Sequence, residues 1–183
     1  CAGVLLHALA GERAARGECP PQWAGLKFFN VYGPNEYHKG DMRSLVAKNT
    51  AVVAAGAPVT LFKSHRPDYA DGAQLRDFVY VKDCCKVMMW LLRSPAVSGL
   101  FNLGTGEARS FVDLVRGIAA AAGKPADIRF ADMPESIRPN YQYFTQASMG
   151  RLRQAGYGEP FYSLDAGIAD YVRGYLLADD IYR

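Results

Sequence analysis

The stretch that decides the fold is FFNVYGPNEYHKG, residues 28–40. Its first half is rich in aromatic and β-branched residues, which favour a β-strand, and Gly33-Pro34 then breaks the run into a polar loop. The run GLKFFNVYGP, residues 25–34, is short and nearly continuously apolar, as in a strand covered on both faces of a parallel sheet. Ligands bind beyond the carboxyl ends of such strands, so the loop that carries Lys39 is a candidate functional site.

Strands and helices alternate along the rest of the chain, which indicates the α/β class. Apolar periodicity and turn residues predict helices at residues 1–17, 41–55, 84–93, 110–123, 146–155 and 164–177, and strands at 25–34, 58–63, 76–81, 99–106 and 128–133. Asp41, Asp83 and Ser110 are the expected N-caps of three of these helices, and Gly123 is an expected helix end.

Composition excludes several classes of protein. The 183 residues carry a net charge of only +3 with both signs interspersed, which argues against a nucleic-acid-binding surface. The longest apolar stretches, of about a dozen residues, are too short to span a bilayer. None of the four cysteines (Cys1, Cys19, Cys84 and Cys85) has C-x-x-C spacing, so we expect reduced thiols, no metal site and a reducing, cytoplasmic location.

A second loop at the end of a strand contains the glycines Gly104 and Gly106. They match the first two positions of the dinucleotide-binding pattern G-x-G-x-x-G, but Arg109 stands at the third position and no acidic residue follows at the expected distance. We therefore expect a tight turn between a strand and a helix and not a pyrophosphate site. Lys39 is either a solvated loop residue or an acid/base whose pKa is adjusted by its surroundings.

The string FFNVYGPNEYHKGDM resembles the strand and loop of the ADP-L-glycero-D-manno-heptose 6-epimerases, which are extended short-chain dehydrogenase/reductases. The resemblance continues in order through LRDFVYVKD, GLFNLGTGEARSF and YQYFTQASMGRLRQAGY, from about Trp23 to the end of the chain. It implies the last strands of a Rossmann-like parallel sheet with a smaller α/β substrate-binding domain. Residues around 23–34 and 99–123 would belong to the sheet and its helices, and about 41–98 and 124–162 mainly to the substrate domain.

The resemblance also implies a reaction. In that family NADP takes a hydride from C6 of an ADP-linked heptose and returns it to the opposite face, and the intact enzymes serve lipopolysaccharide precursor synthesis. The two acid/bases are a Tyr in a Tyr-x-x-x-Lys motif and the lysine of HKG, which is Lys39 here. Neither the Tyr-x-x-x-Lys motif nor the N-terminal glycine motif occurs in this sequence. We therefore expect residues before Cys1, and an incomplete, inactive half of the enzyme in this chain alone.

Further residues match family positions one at a time. Asn30 and Tyr141 match substrate contacts, Arg76 an arginine on the ADP diphosphate, and Val31 and Lys39 contacts to the cofactor. Further positions that match the substrate site are Phe62, Lys63, Ser64 and His65 in a longer adenosine-side loop, and Asp41 and Lys48, where relatives have serine and histidine. Structural alternatives remain open: Arg76 could pair with Asp77 or Asp83, Asn30 could bond backbone, and Tyr141 could be a core aromatic.

Two other functions remain open. The chain could belong to another nucleotide-sugar epimerase or dehydratase, and a lysine in the HKG position argues against most of those. It could also be a non-catalytic module that binds a nucleotide sugar or assembles a larger complex. The expected partners are an ADP-sugar and, in the intact protein, further copies of the same chain, with neither nucleic acid nor membrane.

Overall fold

The computed structural model describes residues 2–18 and 20–182, with side chains from residue 8 onward. The α-helices are α1 (Ala2–Ala15), α2 (Leu45–Ala54), α3 (Val81–Leu92), α4 (Phe111–Ala122), α5 (Gly150–Gln154) and α6 (Leu164–Tyr171). The strands are β1 (Ala24–Phe28), β2 (Asn30–Tyr32), β3 (Val59–Phe62), β4 (Leu75–Tyr80), β5 (Gly99–Leu103), β6 (Ala108–Ser110) and β7 (Ile128–Ala131). Short 3₁₀ helices occupy Tyr37–Met42 and Arg138–Asn140, and a π-helical turn, Val172–Leu176, follows α6.

Parallel pairing dominates the strands, which confirms the predicted α/β class. Strand β1 pairs with β5, β2 with β4, and β3 with β7, all in parallel. Strand β6 was not expected, and it pairs antiparallel with β4 because the chain doubles back at the glycine turn before α4 begins. None of the described helices is long and apolar enough to cross a membrane.

The strand predicted at 25–34 is two strands in different sheets. The chain bends at Phe29, whose carbonyl accepts the Val31 N–H at 2.9 Å, and β1 and β2 continue with different partners. The expectation that this strand is covered on both faces is wrong for β1, where Phe28 is 48% exposed. The reason is that β1 pairs only with β5 among the described strands. Continuous burial belongs instead to β4, whose residues from Arg76 to Tyr80 are all buried.

Two of the three expected N-caps are wrong. Helix α2 is capped by Ser44 and not by Asp41, because residues 37–42 form a 3₁₀ helix with a sharp kink at Gly40. Helix α3 begins at Val81, so Asp83 lies inside its first turn, fully buried. Helix α4 agrees with the prediction: Ser110 and Asp113 form a capping box, and Gly123 ends the helix in the left-handed conformation.

The buried apolar residues form two clusters. One contains residues of β3, α2, α4 and α6, with Val46, Ile118 and Ile168 fully buried. The other joins β5 and α3, with Val87 and Leu103 fully buried. Helix α3 thus packs with a strand that the expected domain bounds assign to the Rossmann-like part, and the division into two domains stays a prediction.

Burial raises the pKa of the Cys84 thiol, also in the second cluster, to about 12, and Cys85 is a free, exposed thiol. Cys1 and Cys19 lie outside the described residues.

The glycine turn after β5 is organised by one buried carboxylate. Asp77, on β4, is fully buried and accepts the backbone N–H groups of Thr105, Gly106 and Ala147 at 2.7–2.9 Å. A Cβ on Gly104 would lie 2.6 Å from an oxygen of Asp77, so this close approach requires glycine. Because Asp77 occupies these amides, the geometry agrees with a tight turn and leaves no pyrophosphate cradle there.

We expect Asp77→Ala to lower the free energy of unfolding by about 3 kcal/mol or more. The substitution leaves three backbone amides without their acceptor, at about 1–3 kcal/mol for each buried group that stays unpaired. Urea denaturation of the purified chain measures the change. The matched control is Asp127→Ala, an exposed carboxylate, which should stay within about 0.5 kcal/mol of the parent. Equal stability of both variants would contradict the role of Asp77.

Candidate functional site

Three neighbouring cavities lie beside β2, β3 and β4, from the start of β4 to the ends of β2 and β4. The outer cavity, about 190 Å³, is lined by residues that include Phe62, Gln74 and Tyr141. The central cavity, about 240 Å³, shares Leu45 and Phe111 with it. The loop cavity, about 440 Å³, shares Val31 and Tyr32 with the central one and includes His38 and Lys39. These three adjoining cavities, called the groove below, extend from an aromatic end to the HKG loop.

Arg76 is a buried cation without a carboxylate partner. It is 8% exposed, and no acidic oxygen within residues 2–18 and 20–182 pairs with it. Its guanidinium donates to the carbonyls of Leu75, at 2.8 Å, and Gln142, which leaves three of its five N–H groups for other acceptors. Burial lowers the pKa of Arg76, as expected for a charge that lacks compensation.

The alternative ion pairs of Arg76 are not present. Asp77 is occupied by the glycine turn. Asp83 accepts from Lys86 Nζ at 3.1 Å and from the Tyr162 N–H at 2.8 Å. The guanidinium instead lies 5.6 Å from the ring centre of Phe111, which is the wall between the outer and central cavities.

Tyr141 also contacts the Arg76 guanidinium, and it lines the outer cavity. Its ring centre lies 5.4 Å from the Arg76 guanidinium and 6.5 Å from the ring of Phe62, which is itself 37% exposed. Partial burial raises the pKa of Tyr141. Arg76 itself lines none of the three cavities. The outer cavity is thus an apolar, aromatic recess with a cation behind its Phe111 and Tyr141 wall, which suits a flat heterocycle followed by an anion.

The rest of the predicted adenosine-side loop turns away from the groove. Lys63 pairs with Asp132 at 3.2 Å, and Ser64 accepts and donates within its own loop. His65 lies against Tyr143, whose hydroxyl is 2.8 Å from His65 Nδ1. Of the four residues predicted there, only Phe62 lines a cavity.

The central cavity contains two polar side chains with free hydrogen-bonding groups. Asn30 is exposed, and its backbone pairs with Phe78 in the sheet. Its side-chain amide has no hydrogen bond within the described part of the chain, so the alternative that Asn30 bonds backbone is not observed. Arg43, which the sequence analysis did not single out, lines the same cavity.

The HKG loop has a defined conformation. Gly40 has φ of 53° and ψ of −124°, a combination that side chains disfavour, and the kink reverses the chain directly after Lys39. The Lys39 N–H donates to the Glu36 carbonyl at 3.1 Å, whereas its side chain is exposed on the wall of the loop cavity. Glycine at position 40 therefore explains how the loop can present a lysine at the end of the groove.

A buried glutamate anchors this loop. Glu36 is 4% exposed and accepts from the Ser44 N–H at 2.7 Å, the Ser44 hydroxyl at 2.6 Å and the Tyr171 hydroxyl at 3.1 Å. These bonds connect the loop to the start of α2 and to α6. Tyr37 adds a contact to the last described residues, since its hydroxyl donates to the Ile181 carbonyl at 2.9 Å.

Two predicted substrate residues lie apart from the groove. Asp41 is exposed in the 3₁₀ helix, and Lys48 is half-buried on α2. Neither lines any of the three cavities. Their substrate role stays a prediction without support from this geometry.

The loop cavity fits only one end of a nicotinamide dinucleotide. Val31, Tyr32, Gly33 and Val81 give it an apolar wall beside Lys39, which suits a flat ring. The phosphates have no comparable place, because Asp77 already occupies the amides of the glycine turn. The residues that would hold the ring end are therefore Val31 and Lys39.

Known proteins resemble this chain over about half of their own length. An ADP-L-glycero-D-manno-heptose-6-epimerase of Nitratidesulfovibrio vulgaris strain Hildenborough is 55% identical over 157 residues, which cover 86% of this chain and 49% of the relative. The protein of the same name from Fusobacterium nucleatum is 46% identical over 169 residues, 89% of this chain and 51% of the relative.

Solved structures agree in fold. The Helicobacter pylori ADP-L-glycero-D-manno-heptose-6-epimerase superposes with a TM-score of 0.71 at 28% identity, over 90% of this chain and 48% of that one. The Thermus thermophilus UDP-glucose 4-epimerase in complex with NAD also gives 0.71 at 28% identity, over 93% and 50%. Both support the Rossmann-like fold expected from the sequence. The sequence model of the NAD dependent epimerase/dehydratase family matches residues 9–104, more than half of the chain, and the chain belongs to that family.

Proposed function

We propose that this chain is the substrate-binding, C-terminal half of an ADP-heptose 6-epimerase. The observation that carries the proposal is the row of adjoining cavities, with the Arg76 guanidinium against Phe111 and Tyr141 of the aromatic cavity and Lys39 on the wall of the last one. The relatives named ADP-L-glycero-D-manno-heptose-6-epimerase support the substrate. The reaction would convert ADP-D-glycero-D-manno-heptose to the L-glycero epimer, as a step toward lipopolysaccharide precursors.

Each part of an ADP-sugar has a counterpart along the groove. The adenine ring would lie against the edge-to-face pair of Phe62 and Tyr141, and the diphosphate would take the three free N–H groups of Arg76. The sugar would fill the central cavity beside Asn30, with its C6 toward Lys39. The amine of Lys39 would take or give the proton of the C6 hydroxyl, as general acid–base catalysis requires.

The cofactor of the proposed enzyme is NADP, which supplies reversible hydride transfer when it is bound. Within this chain Val31 and Lys39 would contact its ring end, and Glu36 would hold Lys39 in place through the loop. We further propose that the intact protein is a cytoplasmic homo-oligomer. These points rest on the resemblance, and the NAD in the Thermus thermophilus structure supports only a nicotinamide cofactor in general.

We expect the purified 183-residue chain to bind ADP and ADP-heptose but not to bind NADP tightly. The residues of the nucleotide-sugar groove are present, whereas neither a complete glycine fingerprint nor a Tyr-x-x-x-Lys motif occurs in this sequence. Isothermal titration calorimetry with each ligand checks this. A stoichiometric, tight NADP complex would contradict the second half of the prediction, and absence of any ADP-heptose binding would contradict the proposed function.

The main competing function is that of a UDP-sugar epimerase. It is favoured by one observation, the equal TM-score of the Thermus thermophilus UDP-glucose 4-epimerase. Titration of UDP-glucose in the same experiment separates the two, because the proposed function requires ADP-heptose to bind more tightly than UDP-glucose.

A further inference from the structure

We infer that Arg43 is a sugar-recognition residue, which donates hydrogen bonds to the heptose in the central cavity. This inference rests on the proposed function and names a contact to its substrate. It concerns a residue that neither the resemblance nor the sequence pattern marked.

The central cavity offers few groups that could recognise a sugar. Of its polar side chains, Ser44 has no donor left, because its hydroxyl donates to Glu36 and also accepts the Ala47 N–H at 3.2 Å. The Tyr32 hydroxyl is buried and donates to the Leu164 carbonyl at 3.3 Å. Asn30 and Arg43 are therefore the two lining side chains with free hydrogen-bond donors, and a polyhydroxylated ligand needs such partners.

Arg43 is held in position from its Nε side. Its Nε–H donates to the Gly40 carbonyl at 2.9 Å, across the kink that follows Lys39. The four N–H groups of its two terminal nitrogens have no hydrogen-bond or carboxylate partner among the residues that the structure describes. A guanidinium fixed at one edge presents its other donors with little loss of side-chain freedom, which favours directed contacts to ligand oxygens.

The location of Arg43 assigns it to the sugar and not to the nucleotide. It lines the central cavity with Asn30 but does not line the outer cavity, where Phe62 and Tyr141 lie. The bond from its side-chain Nε–H to the Gly40 carbonyl places it on the side of Lys39. The affinity for a ligand that lacks the sugar should therefore not depend on Arg43, whereas it should depend on Arg76, which contacts Phe111 at the wall between the two cavities.

The test compares two ligands on the purified chain. For Arg43→Gln, which removes the charge and most donors, we expect the dissociation constant of ADP-heptose to rise about ten-fold or more, as for hydrogen bonds to a charged group. The dissociation constant of ADP should stay within about two-fold. Arg116→Gln, at an exposed arginine of α4, is the matched control and should change neither value. Calorimetry measures all six affinities.

The substitution also removes the bond from Arg43 to the Gly40 carbonyl, and hydrogen exchange of residues 37–43 is the control for that loss. Exchange in Arg43→Gln reports whether the loop has loosened, and Arg43→Lys keeps the charge without the fork and should recover part of the lost affinity. An unchanged ADP-heptose affinity overturns the inference, and so does an equal loss for ADP and ADP-heptose, which would make Arg43 a nucleotide contact. The inference is also overturned if Arg43→Gln lowers the ADP-heptose affinity together with faster hydrogen exchange of residues 37–43 and Arg43→Lys restores none of that affinity. The loss then comes from a loosened loop. A parent chain that binds ADP and not ADP-heptose contradicts the proposed function itself, and this inference with it.

Discussion

Lys39→Met should lower the rate of epimerisation by about 10² to 10⁴, the usual contribution of a general acid or base. The assay requires a complete active site. A chimera supplies one by joining this chain to the N-terminal half of the Nitratidesulfovibrio vulgaris relative, which is 55% identical over the shared region. Methionine has a similar length and no titratable proton, so it separates proton transfer from packing.

The expectation follows from the geometry of the loop. Inversion at one carbon needs a proton-transferring group for each face, and a single group cannot easily serve both. Lys39 lies at the end of the groove, its backbone is fixed by Glu36, and the Gly40 kink directs the chain away behind it. The effect should fall on kcat, with a smaller change in the KM for ADP-heptose, because the nucleotide contacts are at the other end of the groove.

The control for this prediction is Lys124→Met, at an exposed lysine just after α4. It removes the same charge from a solvated position and should leave the rate near that of the parent chimera. If Lys39→Met keeps more than about a third of the parent rate, Lys39 is a solvated loop residue. The HKG loop then no longer supports the proposed ADP-heptose 6-epimerase function. The comparison of Lys39→Met with Lys124→Met therefore distinguishes the loss of a proton-transferring group from the loss of one positive charge.

The α/β class was predictable because it depends on local signals. The apolar run of β4, the capping box of α4 and the glycine at its end are short-range features, and the structure has each of them in place. Asp41 and Asp83 were wrong as caps for a physical reason. The N-cap is the residue at which the backbone enters the helix. Because of the kink at Gly40, α2 starts at Leu45 and Ser44 is its N-cap.

The site was predictable only in part, because burial and pairing are long-range properties. Sequence alone cannot tell that Asp77 faces the turn 104–106 and so leaves its neighbour Arg76 without an acidic partner. It also gives no signal for Arg43, whose importance comes from the cavity that it lines. The sequence places an acidic residue, Glu36, close to Gly40 in the loop. Its burial could not be predicted, because its partner Tyr171 is 135 residues away.

Arg76→Met should weaken ADP binding by about 100-fold while the free chain becomes no less stable. The guanidinium is 8% exposed, and its partners in the described part of the chain are carbonyls and aromatic rings and no carboxylate, so no opposite charge balances it until an anion binds. An arginine–phosphate pair combines charge and a fork of donors, and its loss in a desolvated site is severe. Removal of a buried charge that has no carboxylate partner, by contrast, also removes its desolvation cost, and we expect this gain to offset the two lost bonds to carbonyls.

The opposite signs of these two effects make the prediction specific. A purely structural arginine, which tied β4 to Gln142, would lose stability and ligand affinity together when replaced. An anion-binding arginine loses affinity for ADP, keeps affinity for adenosine within about three-fold, and does not lower the melting temperature. Calorimetry with ADP and adenosine, beside thermal unfolding of the same samples, measures all three quantities.

The matched control is Arg129→Met, at an exposed arginine of β7, where neither ADP affinity nor stability should change. The variant Arg76→Lys adds a second comparison, because an ammonium keeps the charge but not the planar fork. It should recover only part of the affinity for ADP. If Arg76→Met binds ADP as tightly as the parent, the diphosphate does not lie at the wall between the outer and central cavities, and the order of the substrate along the groove is wrong.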